Sequence, residues 1–160
     1  GDITSTGGIV FYDAGSTQSW GRYLEAACVG WQNNCDGTSA RVLAEWGCYE
    51  TSISGADEKA IGTGEQNTTD IVTGCTTAGI AAKIADALVL GGQSDWFLPS
   101  YDELNQMYIQ RTAIGGFSEG HYWNSSELGG DGAWFQSFWW GWKGVSNKNV
   151  LMDFRPIRSF

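Results

Sequence analysis

Apolar and polar positions change rhythm twice along the chain. Gly7-Gly8-Ile9-Val10-Phe11-Tyr12 is a β-branched and aromatic run bounded by glycines, which predicts a strand close to the start. Between residues 20 and 64 no period is sustained, and Gly, Asn, Asp, Ser and Thr are scattered throughout. That stretch predicts a short helix over Tyr23 to Ala27 followed by long loops. A helical rhythm then sets in. The polar group Asn67-Thr68-Thr69-Asp70 precedes Ile71, Val72 and Cys75, and after Gly79 the residues Ile80, Ile84, Ala87 and Leu88 fall on one stripe. One helix with a break near Gly79, or two short ones, would give this pattern. Leu98-Pro99-Ser100-Tyr101-Asp102-Glu103 marks another helix start, with Ser100 and Glu103 spaced as a capping box and Leu104, Met107 and Tyr108 supplying a buried face. From Tyr122 the pattern turns to strands, at Tyr122 to Ser126, Ala133 to Trp139 and Val150 to Phe160, separated by Gly- and Asn-rich turns.

Helices ahead of strands predict an α+β architecture, two or three helices packed on a small, mainly antiparallel sheet with long loops. With 160 residues, no internal repeat and no linker, the chain reads as one domain, 1–160, large enough to bury its own core. No apolar run approaches the roughly 20 residues of a bilayer crossing, so membrane insertion is not expected. Gly1-Asp2-Ile3-Thr4-Ser5 is neither basic nor apolar, and any signal or anchoring segment is expected to have been removed or to lie outside this stretch.

A net charge of -9 argues against nucleic acid or an anionic membrane as the partner of the whole surface. The charge is uneven: residues 1–132 carry a net -12, whereas residues 133–160 carry Lys143, Lys148, Arg155 and Arg158 against Asp153 alone. Cys28, Cys35, Cys48 and Cys75 form an even set with no CxxC pair and no histidine at metal-ligand spacing, which favours disulfides over zinc. Of the three connectivities, Cys28–Cys35 would close a short polar loop and Cys48–Cys75 would tie a Gly-rich segment to the helix after it; this pairing is favoured. Two bridges imply an oxidising compartment, hence a secreted or cell-surface protein.

Few motifs carry chemistry. Gly62-Thr63-Gly64-Glu65 lacks the lysine of a phosphate-binding loop and reads as a tight turn. His121, the one histidine, has no Ser or Cys nucleophile placed beside it by the sequence. The carboxylate neighbours Asp57-Glu58 and Asp102-Glu103 read as caps or solvated faces, while Glu127 or Asp131 leaves open a structural calcium site built from loop oxygens. Asn67-Thr68-Thr69 and Asn124-Ser125-Ser126 match the glycosylation sequon.

The closing segment is different. Strand alternation puts Trp134, Gln136 and Phe138 on one face and Phe135, Ser137 and Trp139 on the other, although a core needs only one. Trp140 and Trp142 run on into a Gly-broken turn, where side chains generally face solvent. Exposed tryptophan beside Lys143, Asn147 and Asn149 has the composition of a binding hot spot. The alternative places these rings in a core or a subunit seam.

Gly7-Gly8-Ile9-Val10-Phe11-Tyr12, Trp46-Gly47-Cys48, Ile61-Gly62-Thr63-Gly64 with Asn67-Thr68, Gly74-Cys75, Asp95-Trp96-Phe97-Leu98-Pro99-Ser100 with Asp102-Glu103-Leu104, Tyr122-Trp123 with Ser125-Ser126-Glu127, Ala133-Trp134 and the terminal Arg155-Pro156-Ile157-Arg158-Ser159-Phe160 form an ordered series. It resembles the Lcl C-terminal domain family, named after the terminal domain of a bacterial collagen-like adhesin. The resemblance implies an extracellular ligand-binding module, in the adhesin a trimer that recognises sulfated glycans and responds to divalent cations. It also implies a C-type-lectin-like fold with paired N- and C-terminal strands, here Ile9 to Tyr12 beside Phe154 to Phe160.

The framework Tyr122-Trp123, Ser125-Ser126-Glu127, Ala133-Trp134, Phe138, Gly141, Lys148 and Arg155-Pro156 is similar to the variable region of retroelement-diversified proteins. Such proteins present changeable side chains on a lectin-like scaffold. The similarity implies a ligand surface at Phe135, Ser137, Trp139, Trp140, Trp142, Val145, Asn147, Asn149, Leu151 and Met152, with Lys143 beside them. The expected function is non-enzymatic recognition of a protein or glycan on another cell, with no cofactor. An architectural homo-trimerisation domain and a calcium-dependent lectin are the alternatives. Chemistry of the formylglycine-generating type, also hosted by lectin-like scaffolds, needs a reactive cysteine pair or a metal, and the four cysteines read as structural.

Overall fold

A computed structural model of the chain describes residues 1–38 and 41–160. Ser39 and Ala40, within the expected cysteine-stapled loops, lie outside the described residues. The architecture is α+β. Strands β1 (Ile9–Gln18) and β2 (Gly21–Ala26) form a hairpin, and a 3-10 turn at Trp31–Asn33 leads to the two-residue β3 (Leu43–Ala44). Helices α1 (Gly64–Gly74), α2 (Ala81–Asp86), α3 (Tyr101–Ile109) and α4 (Arg111–Ile114) follow, then β4 (His121–Leu128), β5 (Gly132–Ser137), β6 (Lys143–Asn147), β7 (Met152–Asp153) and β8 (Ile157–Ser159). The strands make a three-stranded sheet, β1-β2-β8, and a five-stranded sheet, β3-β7-β4-β5-β6. Pairing is antiparallel except between β4 and β7.

The helix that starts at Ser100 forms for the reason its sequence states. Ser100 Oγ accepts from Glu103 N, and the Glu103 carboxylate accepts from Ser100 N at 2.7 Å, satisfying two otherwise orphaned donors. The break near Gly79 separates two helices, because Cys75 already has extended backbone and Gly79 has φ +69°. Both disulfides form as favoured, Cys28–Cys35 and Cys48–Cys75, with Cα separations of 5.4 and 5.7 Å.

Several expectations are corrected. Tyr23 to Ala27 is not helical, since Gly21–Ala26 is the middle strand of the smaller sheet, Ala26 pairing with Ile9 on one side and Ile157 on the other. Five residues cannot distinguish the two periods, and long-range pairing decides. For the same reason the terminal strands share a sheet without being neighbours, because β2 lies between β1 and β8. Val150 to Phe160 is two short strands, interrupted at Phe154-Arg155-Pro156, and proline cannot continue a ladder. The strand from Ala133 stops at Ser137, where Phe138 to Trp140 turn. A fourth helix, the single turn α4, exceeds the expected two or three.

Two apolar clusters hold the layers together. One joins α1 and α2 to Trp46, Trp96, Trp123 and Phe135; the other packs Leu104 and Met107 of α3 against Phe11, Leu24, Tyr122, Phe138 and Ile157. A buried polar tie lies beside the first cluster. Lys148, fully buried, donates to Thr51 O and to the Glu127 carboxylate, each at 2.8 Å, with its Nζ 4.6 Å from the Trp46 ring centre.

Candidate ligand-binding surface

β6 is a free edge of the larger sheet, and the β5–β6 turn is where the aromatic run emerges. Register assigns the faces, because directly opposed residues point the same way. Trp134 opposes Val145 and Gln136 opposes Lys143; Phe135 opposes Gly144 and, across β4, Trp123. The Phe135 face joins the core. At its margin His121 and Trp142 close over Phe135, with ring centroids 4.8 and 5.4 Å from it and 5.4 Å from each other. On the other face Tyr101 meets Trp134 edge-on at 5.2 Å, Lys59 Nζ lies 4.2 Å from the Trp134 ring and Lys143 Nζ 4.2 Å from Tyr101. Burial lowers the Lys143 pKa, and the Asp102 carboxylate partly opposes that shift.

The turn is built by its backbone. Ser137 N donates to Trp142 O at 2.9 Å, Gly141 N donates to Ser137 O at 2.8 Å, and Gln136 Nε2 donates to Gly141 O at 3.0 Å. Gly141 has φ +83°, and a Cβ there would come within 2.6 Å of the Tyr108 ring, so glycine is required. Phe138 turns inward onto Tyr122, 4.3 Å between centroids. Trp139 and Trp140 turn outward, their rings 5.7 Å apart and 50% and 74% exposed, and Trp142 is 49% exposed.

Eight of the eleven expected surface positions reach solvent at least in part: Trp139, Trp140, Trp142, Lys143, Val145, Asn147, Asn149 and Leu151. Phe135, Ser137 and Met152 do not. Phe135 belongs to the core-facing side of β5, and Ser137 is sealed by the turn it caps, its Oγ accepting from Trp140 N at 3.3 Å. Met152 pairs with Ala44 in the β3–β7 ladder and is the buried floor of a cleft of about 310 Å³. His121, Val150 and Leu151 line the same cleft, with Arg41 and Glu119. Sequence reasoning missed His121 and Val150 as parts of this surface. The signal that places His121 there is its pairing with Ser137, which local pattern does not reveal.

The remaining chemical candidates are absorbed by structure. Glu127 accepts from Ile53 N at 2.7 Å and pairs with Lys148, so its carboxylate is occupied as a structural strut. Among the described residues no group of three or more His, Cys, Asp or Glu is arranged to hold a metal ion, and no cysteine is free. The sequon asparagines Asn67 and Asn124 are both buried, which keeps a glycan off them in the folded state. Comparison of the chain with protein-family models and with curated proteins finds no match to either.

Proposed function

We propose that the chain is a non-enzymatic extracellular recognition domain of C-type-lectin-like fold, related to the Lcl C-terminal domain family. It binds a protein or glycan on another cell through the β5–β6 turn and the edge beside it. The observation that carries this reading is the exposure of Trp139, Trp140 and Trp142 together on a turn whose backbone is fixed independently of them. Such indoles offer large apolar contact at low entropy cost, which is how hot spots are made. Two disulfides suit an extracellular setting. The alternation of buried framework residues with exposed positions suits a variable display surface of the retroelement-diversified kind.

The test is a binding screen of the domain against a glycan array and a panel of surface proteins, with and without calcium, using the Trp140→Ala/Trp142→Ala variant as control. Binding by the wild type that is lost in the variant is the expected result. A calcium-dependent glycan signal identifies a lectin, and no binding to either class overturns the reading. A second reading has its own observation. β6 is an unpaired edge flanked by exposed apolar side chains, the geometry of a subunit seam. Sedimentation at several concentrations separates the two, because a seam containing these tryptophans gives a stable trimer at micromolar concentration.

A further inference from the structure

We infer that a second cavity, behind β7 and independent of the tryptophan turn, binds a small organic carboxylate. The cavity measures about 200 Å³ and shares Arg41 and Asp153 with the first cleft. That is room for roughly six waters, or for an acid with a compact apolar body. Its distinctive wall residue is Arg155, which is 3% exposed. Arg155 Nε donates to Ala27 O at 2.6 Å and Nη1 reaches Gly115 O at 3.5 Å, but Nη2 is buried without a hydrogen-bond partner. Among the described residues no carboxylate lies within ion-pair distance of this guanidinium. Burial brings its pKa down to about 10, so it is still charged at neutral pH.

The carboxylate already in the wall is committed elsewhere. Asp153 accepts two hydrogen bonds from Arg41, at 3.0 and 2.7 Å, and a third from Ser118 Oγ at 2.9 Å. Arg41, Asp153 and Arg155 together therefore leave one positive charge uncompensated around a partly open cavity, with Arg155 its buried member. A buried cation without a counter-ion is costly, and a monoanion with a planar fork matches a guanidinium best. Trp31, Phe117 and Phe154 supply apolar walls for the rest of such a molecule. Phe117, half-buried with its ring 5.0 Å from the Arg155 guanidinium carbon, follows two glycines in left-handed conformation. Nη2 is shut off from solvent, so an occupant would gain it only if the Phe117 ring beside the guanidinium shifted.

Benzoate titrated into the intact domain tests this, followed by the side-chain Nε–H NMR signal of Arg155 and by thermal melting, with benzyl alcohol as the uncharged isostere. Saturable benzoate binding in about the millimolar range that moves the Arg155 signal, with benzyl alcohol inert, is expected. Arg155→Lys should weaken it by at least about tenfold. Because that change also disturbs the bond to Ala27, Val42→Phe provides a second arm, filling the cavity while leaving Arg155 in place. Loss of benzoate binding in the folded Val42→Phe protein supports the site. Absence of saturable binding, equal binding of benzyl alcohol, or unchanged affinity in Val42→Phe overturns it and leaves ordered water as the occupant.

Discussion

Trp46, Trp96 and Trp123 are closed to solvent, whereas Trp139, Trp140 and Trp142 stand out from the β5–β6 turn. Two of the core rings are tied to distant backbone: Trp46 Nε1 donates to Asn124 O and Trp123 Nε1 to Ala44 O, both at 3.0 Å. Each such bond spans more than seventy residues of sequence and fixes how the β3 segment lies against β4. The turn rings are positioned instead by a backbone that closes on itself through Ser137 and Gly141. One residue type thus serves two ends. In the core it specifies the fold; at the turn Trp142 still leans on Phe135 and His121, while the exposed faces of Trp139 and Trp140 remain for contact with something else.

The contrast can be broken most forcefully from the buried side. Trp123→Ala removes a fully enclosed indole and should cost about 3–5 kcal/mol in denaturant unfolding. Lys148→Met leaves Glu127 buried without its cation and should cost roughly 3–4 kcal/mol, much of it recovered in the Lys148→Met/Glu127→Gln double variant.

Glu103 gives a pH-dependent version of the same comparison. Burial raises its carboxyl from 4.5 to about 7, against the lowering effect of the Ser100 and Gly62 N–H donors. The folded state then holds the proton more tightly than the unfolded chain does. The associated stability is fully present below about pH 4.5 and is lost as pH rises through about 7, a change of about 3 kcal/mol. Unfolding curves across that window should slope accordingly, and Glu103→Gln should flatten them. At the small end, the Trp140→Ala/Trp142→Ala variant should melt within about 1 kcal/mol of the parent. A loss as large as that of Trp123→Ala would assign the turn to the core.

Elements with a local cause were legible in the sequence. The capping box at Ser100, the break at Gly79 and the Cys28–Cys35 bridge need only neighbouring residues or a short loop. Tyr23 to Ala27 misled because its strand is set by pairing on both sides, with β1 across the hairpin and with β8 from the far end of the chain. The surface divides the same way. Gly141 announced a turn, and the exposure of Trp140 and Trp142 followed from it. The burial of Phe135, Ser137 and Met152 depends on which face of β5 meets the core, on a turn closing over Ser137 and on a two-residue ladder with β3. Alternation along one strand names two faces without saying which is inside.

The turn that carries the tryptophans is clamped at both ends, by Gln136, Ser137 and Gly141 on one side and by buried Lys148 on the other. Between the clamps the ring positions can accept very different side chains, yet the spacing cannot change. One residue added or removed would throw Gly141 off Tyr108 or pull Lys148 from Glu127. Variation in this segment is therefore expected as exchange of letters at constant length, and insertions and deletions should be tolerated only outside it.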